Sequence, residues 1–175
     1  MALQKPQENY WEEKVETSEK LAVTIAVFIC AFMFSVMVIW AIVGKQNPPQ
    51  EAYKIRPSTF LERAIAFMEK YKVGEENGIP IVEAPPNVDQ YIVGRMFQWF
   101  PILVLKKDQT YRIRISSIDV NHGFSIQPVN MNFQAVPGYE YVLTIKPTER
   151  GEFTIVCNEF CGIGHHLMRG KIIVK

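Results

Sequence analysis

The chain has 175 residues, of which 48% are hydrophobic and 21% charged, and its formal net charge is +1. That length fits one or two domains, and the apolar fraction is ordinary for a globular protein. Basic residues are scattered, with no basic run interleaved with aromatics, which argues against a nucleic-acid-binding surface, and no internal repeat is present.

A polar flank over residues 1–20 precedes the first element. From Leu21 to Val43 the chain runs 23 residues without a charge, and only Thr24 and Ser35 are strongly polar. As a helix this run spans about 34 Å, enough for a hydrocarbon core of about 30 Å, so a single transmembrane helix is predicted over 21–43. A cleaved signal peptide would have an apolar region of about 7–15 residues closing on small residues. Here the run ends Ala41-Ile42-Val43-Gly44-Lys45, and an uncleaved anchor fits better. Trp40 suits the headgroup layer, and Cys30 reads as a small apolar filler. Lys5, Lys14 and Lys20 before the helix balance Lys45, Lys54 and Arg56 after it, so the positive-inside rule gives no orientation.

Residues 44–88 read as a linker holding one short helix. Asn47-Pro48-Pro49 stops the anchor, and Thr59 and Glu62 have capping-box spacing at a new helix start. Phe60, Ile65, Phe67 and Met68 set against Glu62, Arg63, Glu69 and Lys70 predict an amphipathic helix to about Tyr71, expected to pack on the membrane surface or on a partner. Lys72 to Val88 is rich in Gly, Pro and Glu and reads as connector.

Residues 89–175 form the second domain. The period changes to two: Tyr111, Ile113 and Ile115 alternate with Arg112, Arg114 and Ser116, and Tyr139, Tyr141, Leu143 and Ile145 alternate with Glu140, Val142, Thr144 and Lys146. Turn signals fall at Lys107-Asp108, Pro137-Gly138 and Thr148 to Gly151, and Lys171 to Lys175 makes a closing strand. A mainly β, small antiparallel sandwich or barrel is predicted. A domain this small buries roughly 60–65% of its extended-chain surface, so a metal bound only by the folded state would add useful stability.

The chemistry is concentrated in Cys157-Asn158-Glu159-Phe160-Cys161-Gly162-Ile163-Gly164-His165-His166-Leu167-Met168. Two thiols, an imidazole and a thioether in one loop are the soft ligand set that favours copper over magnesium, calcium or manganese. Phe153, Ile155 and Cys157 share one strand face, so Cys157 enters the loop from the core side. Gly162 and Gly164 let the backbone fold tightly. The remaining candidate is His122 in Asp119-Val120-Asn121-His122-Gly123-Phe124, since the chain has only three histidines. Three plainer readings stay open: a hydrogen-bonded His122, a Cys157–Cys161 disulfide, and structural zinc, although zinc sites seldom include methionine.

The loop C-N-E-F-C-G-I-G-H-H-L-M, with D-V-N-H-G-F upstream, resembles the CuA domain of cytochrome c oxidase subunit II over about Tyr91 to Lys175. The single transmembrane segment is more similar to subunit II of the B-type haem–copper oxidases than to the two-helix A-type group. The resemblance implies a cupredoxin-like Greek-key barrel, Cys157 and Cys161 as thiolates bridging two coppers, His122 and His165 as terminal imidazoles, Met168 as weak thioether ligand and the Glu159 backbone carbonyl as the last ligand. In many relatives the Glu159 side chain would reach a magnesium at the boundary with subunit I, and a magnesium is left open here. A mononuclear blue-copper site uses one thiolate, so the second cysteine would have no task there. Two bridging thiolates spread one electron over two metals and keep bond changes small on reduction.

The implied function is that of an electron-transfer subunit of a terminal oxidase: electrons come from cytochrome c, and oxygen is reduced in the haem-bearing subunit I. Met96-Phe97-Gln98-Trp99-Phe100 after Gly94 resembles the family's aromatic stretch, which implies Phe97 and Trp99 as the residues where electrons arrive. Alternating aromatics in a sandwich are also ordinary core. His166 has no family role to transfer. The resemblance also implies a single-pass protein of the cell (inner) membrane with its C-terminal domain on the periplasmic or outer side. A membrane-tethered copper-binding or assembly protein is the alternative. The CuA module of nitrous oxide reductase shares the motif but needs a large catalytic domain that 175 residues are not expected to accommodate.

Overall fold

The computed structural model describes residues 14–44, 49–129 and 131–175, and the chain divides after Lys45 into two units. The start of the polar flank, including Lys5, the flanking charge Lys45 and the Asn47-Pro48 of the predicted helix stop lie outside the described residues.

The first unit carries helix α1 (Thr17–Val43). It begins four residues before the charge-free run because Glu16 and Glu19 close the first turn, the Glu16 amide donating to Glu19 Oε2 at 3.0 Å. Its 27 residues span about 40 Å, more than a hydrocarbon core of about 30 Å. Both polar side chains inside the run are satisfied by the helix itself: Thr24 Oγ1 donates to Lys20 O at 2.7 Å and Ser35 Oγ to Ala31 O at 2.8 Å. That is what lipid surroundings demand of a hydroxyl. No side chain of α1 is buried, and it is long and apolar enough to cross a membrane.

The second unit contains β1 (Glu51–Lys54), α2 (Pro57–Tyr71), β2 (Lys72–Glu76), β3 (Ile79–Val82), β4 (Gln90–Arg95), β5 (Gln98–Phe100), β6 (Ile102–Leu105), β7 (Tyr111–Ser117), β8 (His122–Gln127), β9 (Asn132–Ala135), β10 (Tyr139–Ile145), β11 (Gly151–Val156) and β12 (Arg169–Val174). The strands form one curled sheet in the order β1-β10-β7-β4-β5-β12-β11-β8-β9, with β6 beside β12 and β3 beside β6. Inside the curl lie Ile92, Ile113, Ile115, Leu103, Leu105, Leu143, Ile155 and Ile172, all buried. The predicted turns fall where expected: Asp108 (φ 61°), Gly138 (φ 89°) and Gly151 (φ 140°) reverse the chain before β7, β10 and β11. The sheet is mixed rather than purely antiparallel, since β4·β7, β5·β12, β6·β12 and β3·β6 are parallel. A period of two fixes which face a residue takes, not the direction of its neighbour.

The structure differs from the sequence reading over residues 49–88. Helix α2 starts at Pro57, with proline in its first turn and no side-chain cap, so the Thr59–Glu62 capping box is not used. Its apolar face, Phe60, Ala64, Phe67 and Met68, is buried in the β unit itself, where Phe60 and Phe67 lie 5.7 and 5.5 Å from the Tyr91 ring. It therefore does not offer that face to a membrane or partner. The segment read as connector forms the β2–β3 hairpin, joined to the barrel by parallel pairing of Ile81 and Val82 with Ile102 and Leu103. Glu140, placed on the polar side by the alternation of β10, is also buried. Arg114 bonds Glu140 at 2.7 Å and Asp89 at 2.6 Å, so the charge is paired rather than stranded.

Candidate metal centre

Strands β11 and β8 run side by side until Val156 pairs with Ser125, and β11 and β12 until Val156 pairs with Arg169. Beyond that point the chain leaves the sheet as the loop 157–168 and returns through a single 3-10 turn, His165–Leu167. The ends of the ladders therefore bring Cys157, Met168 and His122 to one rim of the barrel. The Cys157 amide donates to Met168 O at 3.3 Å, which seals the base of the loop.

The candidate ligands converge. Cys157 Sγ lies 3.8 Å from Cys161 Sγ and 3.9 Å from His122 Nδ1. Cys161 Sγ lies 3.7 Å from His165 Nδ1 and 3.7 Å from Met168 Sδ. Glu159 O is 3.2 Å from Cys157 Sγ, while the Glu159 side chain is exposed. His122, Cys157 and Cys161 hold their ligand atoms mutually within 4.8 Å, and His122, Cys157, Cys161 and Met168 are all buried. The two cysteines are separate thiols. Metal–sulfur bonds of about 2.3 Å and metal–nitrogen bonds of about 2.0–2.1 Å set tetrahedral neighbours about 3.5–3.8 Å apart. The observed edges match a metal-bearing cluster, and the thiol, thioether and imidazole set is soft. The residues present fit copper.

The protein's own electrostatics keep the Cys161 thiol protonated. Burial, with the adjacent Cys157 thiol, pushes Cys161 up to about 11. Asp119 moves the other way. Desolvation is the largest single influence and opposes its ionisation, yet the Met96 amide (2.7 Å), the His122 ring (2.8 Å) and the Val120 amide (2.7 Å) together hold its carboxyl below the usual range.

Asp119 is the residue beside the candidate site that the sequence reading passed over. Its Oδ1 accepts from His122 Nε2, which fixes the tautomer and leaves Nδ1 facing Cys157 as the candidate ligand atom. The available signal was a carboxylate three residues before the histidine. Phe97 and Trp99 take different positions. Trp99 is fully buried, edge-on to His122 at 5.7 Å and to Phe124 at 5.2 Å. Phe97 is 38% exposed and lies over Gly162 and Gly164; a Cβ on Gly164 would overlap its ring. Gly162 also needs its φ of +128°, so both glycines of the loop have a steric reason. His166 is exposed and outside the cluster.

The family model for "Cytochrome C oxidase subunit II, periplasmic domain" matches residues 92–175. A "Cytochrome c oxidase subunit 2" of Thermus thermophilus is 44% identical over 99 residues, which are 54% of this chain and 72% of that protein. The chain belongs to the cytochrome c oxidase subunit II family. A second subunit 2 from a named strain of Thermus thermophilus is also 44% identical, the match spanning 58% of its length. A "Heme-copper oxidase subunit 2" of Aeropyrum pernix is 42% identical over 74 residues, 41% of this chain and 32% of that protein. A solved chain from a haem–copper terminal oxidase dimer superposes with a TM-score of 0.57 at 26% identity, covering 90% of this chain and 99% of its own. As a member of the subunit II family, this chain is an oxidoreductase component of a membrane complex, working beside a subunit I. Its β unit is the cupredoxin-like electron-transfer domain, copper-binding, and α1 is its membrane anchor.

Proposed function

We propose that the β unit holds a dinuclear copper centre, that it takes electrons from a c-type cytochrome, and that it hands them to the haem-bearing subunit I. One observation carries this reading. The two thiols lie 3.8 Å apart and each has its own imidazole, His122 beside Cys157 and His165 beside Cys161. A single copper would leave one thiol–imidazole pair without a role, whereas a two-copper centre held by Cys157, Cys161, His122 and His165 would use both. Met168 and the Glu159 carbonyl are the remaining weak ligands, one on each side. When bound, the pair of metals supplies a one-electron store whose charge is shared between two nuclei.

The chain's own residues set the conditions for that store. Burial of His122, Cys157, Cys161 and Met168 keeps water from the ligand atoms, Asp119 holds the His122 ring, and Phe97 packs over the ligand loop as the exposed aromatic through which electrons arrive, with Trp99 behind it. We assign the β unit to the periplasmic or outer side of the cell (inner) membrane, where a soluble cytochrome donor is met. The exposed Glu159 carboxylate is the group free to meet a magnesium at the boundary with subunit I. Electron paramagnetic resonance of the copper-loaded protein tests the centre: one electron shared by two coppers gives seven hyperfine lines, and one copper gives four. Metal analysis should return two coppers per chain; one copper, or zinc alone, refutes the reading.

A further inference from the structure

The strand that bears His122 is crossed by a side-chain strap that the metal chemistry does not account for. Strand β8 lies between β11 and β9. The ligand loop leaves from β11, and Asn158, its second residue, reaches over β8 and donates from Nδ2 to Asn132 Oδ1 at 2.9 Å, at the first residue of β9. The crossing passes above Gly123, the residue after His122. A Cβ built there would overlap Asn158 Oδ1 and come within 2.9 and 2.8 Å of the Asn158 and Glu159 amide nitrogens. Only glycine leaves room for both the strap and the loop backbone.

We infer that Asn158, Gly123 and Asn132 form a positioning device that clamps the Cys157–Glu159 segment onto β8 and so fixes Cys157 Sγ and Glu159 O against His122 Nδ1. The inference rests on the copper reading for its purpose and on geometry alone for its existence. Past the Val156–Ser125 pair no ladder hydrogen bond joins the loop to β8 among the described residues. Without the strap, the 3.9 Å spacing between His122 and Cys157 would depend on the Cys157–Met168 bond at the opposite side of the loop. With it, the loop is anchored on both sides, and the site is assembled before metal arrives.

The test uses the full-length chain in detergent, with Asn158→Ala, Asn132→Ala and the double variant. In metal-free protein the buried thiols of Cys157 and Cys161 react with a disulfide reagent only when the loop opens. Each single variant should speed their labelling about five-fold, the effect of losing one hydrogen bond of ordinary strength, with the double variant no faster than either. Cys30 in α1 should label at an unchanged rate in all three. With copper bound, the same variants should release metal to a chelator about five-fold faster and shift the visible absorption. Unchanged thiol labelling, or a double variant whose effect is the product of the singles, overturns the strap even if melting temperature falls. If the parent chain takes up no copper, the metal reading fails, and the labelling of metal-free protein still decides the strap.

Discussion

Asp119 and Cys161 make opposite demands on the proton. The Asp119 carboxylate keeps its acceptor role because the Met96 and Val120 amides, the His122 ring and the Ser117 hydroxyl converge on it, and it turns His122 so that Nδ1 faces sulfur. Asp119→Asn keeps the size and removes the charge. Copper affinity should fall roughly 10- to 100-fold, the usual effect of losing a partner that orients a ligand histidine, measured by competition with a chelator; an unchanged affinity would mean the ring is held by packing alone. Cys161, raised to about 11 from an ordinary 9.0, binds its proton more tightly in the folded chain. The metal-free fold is therefore fully favoured below about pH 9 and loses that contribution as pH rises toward about 11. Copper uptake displaces this proton, so binding should tighten as pH rises and release protons at about pH 7. Calorimetry in two buffers of different ionisation enthalpy reads the release directly, and a buffer-independent heat would contradict it. The candidate ligands were legible in the sequence because five of the six side-chain and backbone donors sit in one twelve-residue loop. Asp119 was harder to see, since it bonds to a ring and not to a metal.

Helix α2 shows how an element can be legible while its landing place is not. The spacing of Phe60, Phe67 and Met68 specifies an apolar stripe, completed in the structure by Ala64 rather than by the expected Ile65, which is 41% exposed, but a stripe does not name the surface that covers it. That surface is built by Tyr91 and its neighbours on strands whose outer face looks polar in sequence, because it carries Arg114 ion-paired with Asp89 and with Glu140 Oε1. The β2–β3 hairpin was hidden for a related reason: Gly74, Pro80 and three glutamates between 75 and 83 resemble a connector, and β3 becomes a strand through partners on both sides, β2 antiparallel and the distant β6 parallel. If α2 is part of this core, Phe60→Ala should destabilise the β unit by about 3–5 kcal/mol, read from denaturant unfolding. A cost under about 1 kcal/mol would return the helix to the role of a tether. Ile65→Ala, on the more exposed side, should cost far less.

At the scale of the whole molecule the two units divide the work: α1 anchors the chain, and in the proposed reading the β unit presents the rim that bears the candidate ligands to the electron donor. That rim is apolar. Phe160 is 80%, Ile163 95% and Leu167 68% exposed, with Met96 and Phe97 also uncovered, and Glu159 is the one acidic side chain between residues 157 and 168. A solvated loop tip of this composition has a reason only if something docks on it. A cytochrome steered by charge would lose association rate steeply with salt. A cytochrome seated on Phe160, Ile163 and Leu167 would not, because apolar contact is not screened. Raising ionic strength from about 20 to about 200 mM should therefore change the second-order rate of cytochrome oxidation by less than about three-fold. Ile163→Glu should slow it at least about ten-fold, since a buried unpaired charge at the contact costs well over about 1.4 kcal/mol, while leaving the copper spectrum intact because Ile163 faces solvent. A steep salt dependence with an inert Ile163 would move the docking surface off the ligand loop and onto the charged flanks of the barrel.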